Sequence, residues 1–440
     1  MTALDEYLHS NDELHPSEIA KLLKDLDESN FNAAVQIIPK ELVGDVALEL
    51  PDRYFGDVVE SFTVQELAVA VTKLESDDQT DFMQELEEVN QGIAQEVFSQ
   101  LHKDDQKDIL QLKQYTEDEA GAYMQTEVYT ANLEQNVHDV IRDFSDLRRR
   151  GELENVQYLF VTNKDKTLKY GIGLDNLLIF NFEKTLRQNI EESPEKFKPI
   201  SAVDHDDIDE IVKKFQEYDL HSLPIVSSEG TLLGRITSDD IYDIMNEQAT
   251  DQMYHLAGVN DDAEEDYDIL KAGKARAIWL GINLLTAIAA SLVIGIFEET
   301  LQSLVALAIL MPIVASMGGN AGTQSLTVVV RQLALGDIAK HDALRTIKKE
   351  VFIALANGLI FAILMGIIAS VWFDKGMLGI VIGISMIINL LSAGFFGSVV
   401  PLLLKKMNVD PAIGSTVILT TVTDIVGFFS FLGLATIILL

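Results

Sequence analysis

The chain has no cysteine in 440 residues. Disulfides, thiolate metal sites and cysteine nucleophiles are therefore excluded. Basic charge is scarce in the first part of the chain, where residues 1–270 hold 22 Lys and Arg against 61 Asp and Glu, a net charge of −39. Such a surface repels phosphate, which argues against nucleic acid and leaves plain solubility or multivalent cations as reasons for the acids. Residues 271–440 hold little charge of either sign, with 11 basic and 8 acidic residues and a net of +3. Met1 to Glu18 has neither the basic nor the apolar region of a signal peptide, so the acidic part is expected in the cytoplasm.

What is present divides the chain near residue 270 into a polar part and an apolar one. Five apolar spans, about 277–297, 301–335, 350–373, 377–404 and 411–439, each approach or exceed the roughly 20 residues that cross a bilayer. Lys271, Lys274 and Arg276, then Arg331, Lys340, Arg345, Lys348 and Lys349, then Lys405 and Lys406 occupy alternate connections. The positive-inside rule then predicts a cytoplasmic N-terminus and, after an odd number of crossings, a C-terminus outside.

In the polar part, the spacing of Ile19, Leu22, Leu23 and Leu26, then of Val43, Val46, Ala47 and Leu50, predicts a stack of short helices from Pro16 to about Ala120. Asp77-Asp78 and Asp104-Asp105 open two similar segments 27 residues apart, and acids in a helix's first turn suit its dipole. Beyond Gly121 the period changes. Strands are predicted at 156–161 and 169–173, then a helix over 208–218, strands at 223–226 and 232–236, and a helix from Ser238 to Met245. A polar segment from Asn246 to Arg276, containing the acidic run Asp261 to Asp266, leads to the first apolar span.

The last span carries one charge, Asp424, near its middle. A carboxylate at that depth costs about 2.5 to 3.5 kcal/mol on insertion scales, so it must face protein, water or a cation. Thr416, Thr420, Thr423, Asp424 and Gly427 recur at steps that a helix places on one face. The second span holds Met311-Pro-Ile-Val-Ala-Ser-Met-Gly-Gly-Asn-Ala-Gly-Thr-Gln-Ser325, whose proline and glycines should break or kink a helix, although close packing by the glycines is the competing explanation.

Two resemblances follow from these residues. His221-Ser-Leu-Pro-Ile-Val226 with Gly234-Arg-Ile-Thr-Ser-Asp-Asp240 resembles a cystathionine-beta-synthase (CBS) domain, and residues 121–184 resemble a first, weaker copy. Met311 to Ser325, Arg331-Gln-Leu-Ala-Leu-Gly-Asp-Ile338, Asp410-Pro-Ala412 and Thr423-Asp-Ile-Val-Gly427 are similar to MgtE-type magnesium channels. The resemblance covers nearly the whole chain. It implies a multi-domain membrane protein with an all-α cytosolic N domain (1–120), an α/β CBS pair (121–184 and 185–250), a connecting helix and linker (251–276) and an α-helical transmembrane domain of five spans (277–440).

The same resemblance implies a non-enzymatic homodimer in the plasma (inner) membrane, bathed in lipid, that moves Mg²⁺ and is gated by intracellular Mg²⁺. Asp424 would select the ion, with the Thr420 and Thr423 hydroxyls holding its waters and Asn320 and Gln324 either adding oxygen ligands from the second span or serving helix contacts, while Asp207, Asp209, Asp219, Asp240, Asp243 and Asp251 would be regulatory metal ligands. ATP is a further ligand that the CBS pair brings into question, with Thr237 toward phosphate and Asp240 toward ribose. Gln248, Gln252 and the segment from Gln65 to Val69 depart from the family by lacking acids it tends to carry. Two other classes compete with this reading. An anion carrier would want a membrane arginine or lysine, and an intramembrane aspartyl protease would want two deep carboxylates where only Asp424 is deep.

Overall fold

A computed structural model describes residues 2–10, 14–151, 153, 155–259, 269–335, 338, 342–407 and 409–440. The acidic run 261–266 and Lys340 lie outside the described residues. Two compact units are formed, Met1–Glu247 and Gln248–Leu440.

The first unit opens with short helices: α1 (Thr2–Ser10), α2 (Pro16–Lys24), α3 (Glu28–Val35), α4 (Val43–Leu48), α5 (Phe55–Ser61), α6 (Val64–Val71), α7 (Ser76–Val89), α8 (Gln91–Gln100) and α9 (Lys103–Leu112). Each is too short to persist alone, so caps and a shared core hold it. Thr63 and Glu66 form a reciprocal capping box on α6, and the Asn90 carboxamide accepts from the amides of Gly92 and Ile93 at the start of α8. The core gathers Ile19, Leu23, Phe31, Phe55, Phe82 and Leu86, all essentially buried, with Phe55 and Phe82 edge to face at 4.9 Å.

Two copies of one small α/β arrangement follow. The first has β1 (Thr130–Asn132), α10 (Val137–Arg150), β2 (Tyr158–Thr162), β3 (Leu168–Gly173), α11 (Leu174–Ile179) and α12 (Leu186–Ile190). The second has β4 (Ala202–Val203), α13 (Ile208–Tyr218), β5 (Ser222–Val226), β6 (Leu232–Thr237) and α14 (Ser238–Ala257). In each sheet the first strand pairs parallel with the second and the second antiparallel with the third. The register even slips at the same place, between Val161 and Thr162 and between Ile225 and Val226. The two hairpins meet through Thr167 and Thr231, where the Leu168 amide donates to the Gly230 carbonyl at 3.0 Å. The sequence expectation omitted β1 and β4, since strands of three and two residues leave no alternation to read. It also stopped α14 at Met245, whereas the helix continues to Ala257.

In the second unit, five long helices follow: α15 (Ile269–Ile296), α17 (Val305–Ala334), α18 (Ala343–Phe373), α19 (Gly376–Lys406) and α20 (Ser415–Leu439), with the short α16 (Glu298–Ser303) between the first two. All five are long and apolar enough to span a bilayer. Leu280, Leu285, Val371 and Ile437 stand more than half exposed, as a lipid-facing surface requires. The second span does not break. Pro312 lies within a continuous α17, and the glycines serve close packing: a Cβ at Gly318 would overlap the Asn389 carboxamide, and one at Gly322 would meet Leu419. The competing explanation for this motif is thus the one the fold adopts, because small residues let apolar helices approach where no hydrophobic drive separates them from lipid.

Candidate functional site

Asp424 lies in the middle part of α20, between two and three turns from its start, half-buried. Its carboxylate has no hydrogen-bond or ion-pair partner among the described residues. It lines a cleft of ≈ 220 Å³ together with Thr416, Thr420, Thr421, Asn283, Thr286 and the His255 to Gly258 segment. Among the described residues the cleft contains no lysine or arginine, so nothing in it neutralises the carboxylate. The hydroxyls of Thr420 and Thr421 donate to the carbonyls of Thr416 and Val417 at 2.8 and 2.6 Å. Their lone pairs are left to accept, and the waters of a hydrated cation are donors.

The end of α14 closes one side. His255 Nδ1 is 2.8 Å from Asp410 Oδ2, and the Thr416 hydroxyl donates to the Leu256 carbonyl at 3.0 Å. Gly258 then leaves the helix with φ of 73°, a conformation that suits glycine at a helix C-terminus.

The expected ligand set is only partly assembled. Thr420 and Asp424 share the cleft, but Thr423 is fully buried and does not line it, its hydroxyl donating to the Thr420 carbonyl at 3.0 Å. The one-face reading failed there because residues 423 and 424 are 100° apart on a helix, and packing decides which of them turns inward. Asn320 sits exposed on α17, with its amide 3.3 Å from the Ser316 hydroxyl, and does not line the cleft. Asn283 and Thr286 of α15 were missed, although two polar residues three apart in an apolar span were a usable signal. Also missed was Glu350, which is 5% exposed and accepts from the Ser325 hydroxyl at 2.6 Å. Glu350 is thus a second, buried carboxylate within the long helices, near the start of α18.

A second concentration of acids lies in the cytosolic unit. The first turns of α7 carry Asp77, Asp78 and Asp81, and these are close enough to Asp240 of α14 to perturb one another. Burial, reinforced by Asp81 and Asp240, pushes Asp78 up to about 7. Burial likewise raises Asp240 to about 6 and Asp77 well above the carboxylate range. Glu75 rises to about 8 because burial outweighs the attraction of Arg235, whose Nη2 lies 3.8 Å away. Around them Ser76 Oγ donates to Glu127 at 2.9 Å and accepts from the Thr126 amide at 2.7 Å, tying α7 to the start of the CBS pair.

The sequence placed these α7 acids at a helix start, where they suit its dipole. There, Glu75 holds the N-cap position without a side-chain cap bond and Asp77 is buried, so they serve the contact and not the cap. The other expected regulatory acids are spread out. Asp207 caps α13 by accepting from the Asp209 amide at 2.8 Å, and Asp219 ends the same helix in the left-handed region. Asp243 is exposed on α14, its carboxyl raised by burial and by Glu49 and Asp239, and Asp251 lies further along α14 in the second unit. Among the described residues no three acids or histidines are already poised as a metal site. Thr237 and Asp240 engage each other, the Asp240 carboxylate accepting from the Thr237 amide at 3.0 Å and hydroxyl at 2.7 Å.

Three family models match segments of the chain. Residues 311–434 match the family model described as a divalent cation transporter, 14–118 the MgtE intracellular N domain, and 195–247 the CBS domain. The chain is 27% identical over 428 residues to the magnesium transporter MgtE of Bacillus subtilis, covering 97% of this chain and 92% of that protein. To the magnesium transporter MgtE of Enterococcus faecalis it is 30% identical over 331 residues, 74% of this chain and 71% of that one. Among solved structures, the cytosolic domain of the Mg²⁺ channel MgtE in complex with ATP aligns with 55% of this chain and 99% of its own, at 24% identity and a TM-score of 0.48.

Helical N domain, CBS pair and five apolar helices define a multi-pass membrane transporter of divalent cations, not an enzyme. The chain belongs to the MgtE family of magnesium transporters.

Proposed function

We propose that Mg²⁺ crosses the membrane past Asp424, through a path formed where two copies of the chain meet, and that intracellular Mg²⁺ closes that path through the acidic cytosolic unit. One observation carries the first part: a carboxylate without a partner among the described residues, in a membrane helix, opens on a cleft with hydroxyl and amide groups and, among the described residues, no lysine or arginine. Mg²⁺ dehydrates reluctantly and is met through one or two carboxylates and ordered water. A carboxylate with acceptor hydroxyls around it suits the hydrated ion, and contact through water is weak enough for the ion to leave again. Two copies of Asp424 would balance the charge of one divalent ion. An anion carrier is disfavoured, since among the described residues the cleft offers an anion no lysine or arginine, and its one histidine, His255, is engaged by Asp410.

Regulation follows from the contact between α7 and α14. Carboxyls held together with pKa values raised to between about 6 and 8 repel one another when ionised, and a divalent cation placed among them removes that repulsion. The N domain therefore takes part in sensing even though Gln65 to Val69 carries no acidic pair. In this reading the chain is divided at about residues 120, 184, 250 and 276, the N-terminus is cytoplasmic, the C-terminus is outside, and lipid surrounds a homodimer. ATP is proposed for the second CBS copy, where a nucleotide would have to compete with the Thr237 to Asp240 bonds.

Mg²⁺ flux into liposomes holding the purified protein, with Mn²⁺, Co²⁺ and Ca²⁺ as competitors, tests the path. Flux that is unaffected by Asp424→Ala would remove the assignment. ATP-dependent shifts in melting that persist in Thr237→Val would remove the nucleotide site.

A further inference from the structure

Deep in the membrane unit, Asn389 of α19 is fully buried between two other helices. Its Nδ2 donates to the Val314 carbonyl of α17 at 2.7 Å. The same carboxamide fills the space left by two glycines: a Cβ at Gly318 would lie 2.8 Å from Asn389 Oδ1, and one at Gly427 of α20 would lie 2.8 Å from Nδ2. Asn389 Oδ1 is buried without a hydrogen-bond partner. A buried acceptor left unsatisfied is costly, and its neighbours along α19 are Ile387, Ile388, Leu390 and Leu391. A leucine would satisfy packing alone, so the amide needs another explanation.

Gly427 supplies it. On α20, Gly427 stands one turn beyond Thr423 on the same buried face, and Asp424 is the next residue round from Thr423. Seating Gly427 on Asn389 therefore turns Thr423 inward and presents Asp424 to the cleft. Tethering Val314 at the same time ties α17, with its Gly318 to Ser325 segment, to that orientation.

We propose that Asn389 is a positioning residue for ion passage: it holds α17 and α20 at the spacing and rotation that aim the Asp424 carboxylate, an inference that rests on Asp424 lying in the ion path. Ion selectivity thus depends on a side chain that does not line the cleft. Loss of its single hydrogen bond and its fit to two glycines corresponds to a change of up to about tenfold in transport or competition.

The test uses the full chain in liposomes and reads Mg²⁺ flux, competition by Ca²⁺ and Co²⁺, and melting temperature. Asn389→Leu should change the ratio of Mg²⁺ to Ca²⁺ transport at least about threefold, within the range one hydrogen bond allows, while melting stays within a few degrees. Gly427→Ala should lower flux about tenfold through its overlap with the carboxamide, and Gly427→Ala combined with Asn389→Ser should recover most of that loss. An unchanged selectivity ratio in Asn389→Leu, or a double variant no better than Gly427→Ala alone, overturns the proposal. If Asn389→Leu does not fold, Asn389→Ser carries the selectivity measurement. Asp424→Ala run beside them separates the two claims: full flux there defeats the ion-path reading, whereas lost flux there with an unchanged ratio in the Asn389 variants defeats only the positioning role.

Discussion

The two units use carboxylates in opposite ways. In the membrane unit Asp424 stands alone, and its neighbours in the cleft are hydroxyls, an amide and a histidine-bearing turn. In the cytosolic unit Glu75, Asp77, Asp78 and Asp240 crowd together, and part of their burden is mutual repulsion. If Mg²⁺ passes Asp424 and is sensed between α7 and α14 as proposed, a lone carboxylate serves a cation that must leave again, and a crowd makes a contact whose stability rises when a cation stays. Number and burial, more than residue type, would then divide passage from sensing.

The largest effect that could break this contrast is expected at the lone carboxylate. Asp424→Asn keeps the size and removes the charge, and Mg²⁺ uptake in a transport-deficient cell should fall about a hundredfold, corresponding to roughly 3 kcal/mol of lost ion interaction. Uptake near the parent level, with the protein in the membrane, would show that the ion does not use this carboxylate.

Next comes the crowd. Asp77→Asn, Asp78→Asn and Asp240→Asn together should protect the cytosolic unit from proteolysis without Mg²⁺ and abolish any further protection by millimolar Mg²⁺. If the triple variant still gained protection from the ion, the binding would have to lie elsewhere.

The pH dependence has a definite sign. Glu75, Asp78 and Asp240 have folded values of about 8, 7 and 6, above their ordinary 4.5 and 3.8, so between about pH 4 and pH 8 the folded state holds more protons than the unfolded one. Stability contributed by these groups is present at low pH and is lost as pH rises through that window. Melting of the full chain in detergent should therefore show the cytosolic transition falling with pH, and Mg²⁺ should flatten that slope. A flat profile would mean that these acids are solvated and apart.

The smallest effect concerns the other deep carboxyl. Glu350→Leu leaves the Ser325 hydroxyl without its buried acceptor and should cost about 1 to 3 kcal/mol, whereas Glu350→Gln keeps an acceptor in place and should cost less. Equal melting of the two variants would deny the hydrogen bond a role. A large loss of flux without a loss of stability would put Glu350 in the passage with Asp424 and blur the distinction between the units.

Five apolar runs, one carboxylate in the last of them and the excess of acid before residue 270 were legible in the sequence because each is a matter of composition along one segment. Membrane spans are unusually legible, since lipid forces every backbone polar group to be satisfied within the helix. The paired α/β copies were legible through their longer strands, while β1 and β4 depended on partners distant in the chain. Helical phase alone did not separate Thr423 from Asp424: both belong to the same polar stripe, and packing against neighbouring helices buries Thr423 while Asp424 lines the cleft. The same holds for Asp77 and Asp78. Their place at a helix start was readable, but their company with Asp240, some 160 residues on, arises only when α7 docks on the CBS pair. Composition and periodicity act locally and so determined the spans, the acidity and the candidate ion-binding charge. Which carboxylates stand alone and which stand together is a property of contacts between distant segments, and the tertiary structure alone decided it.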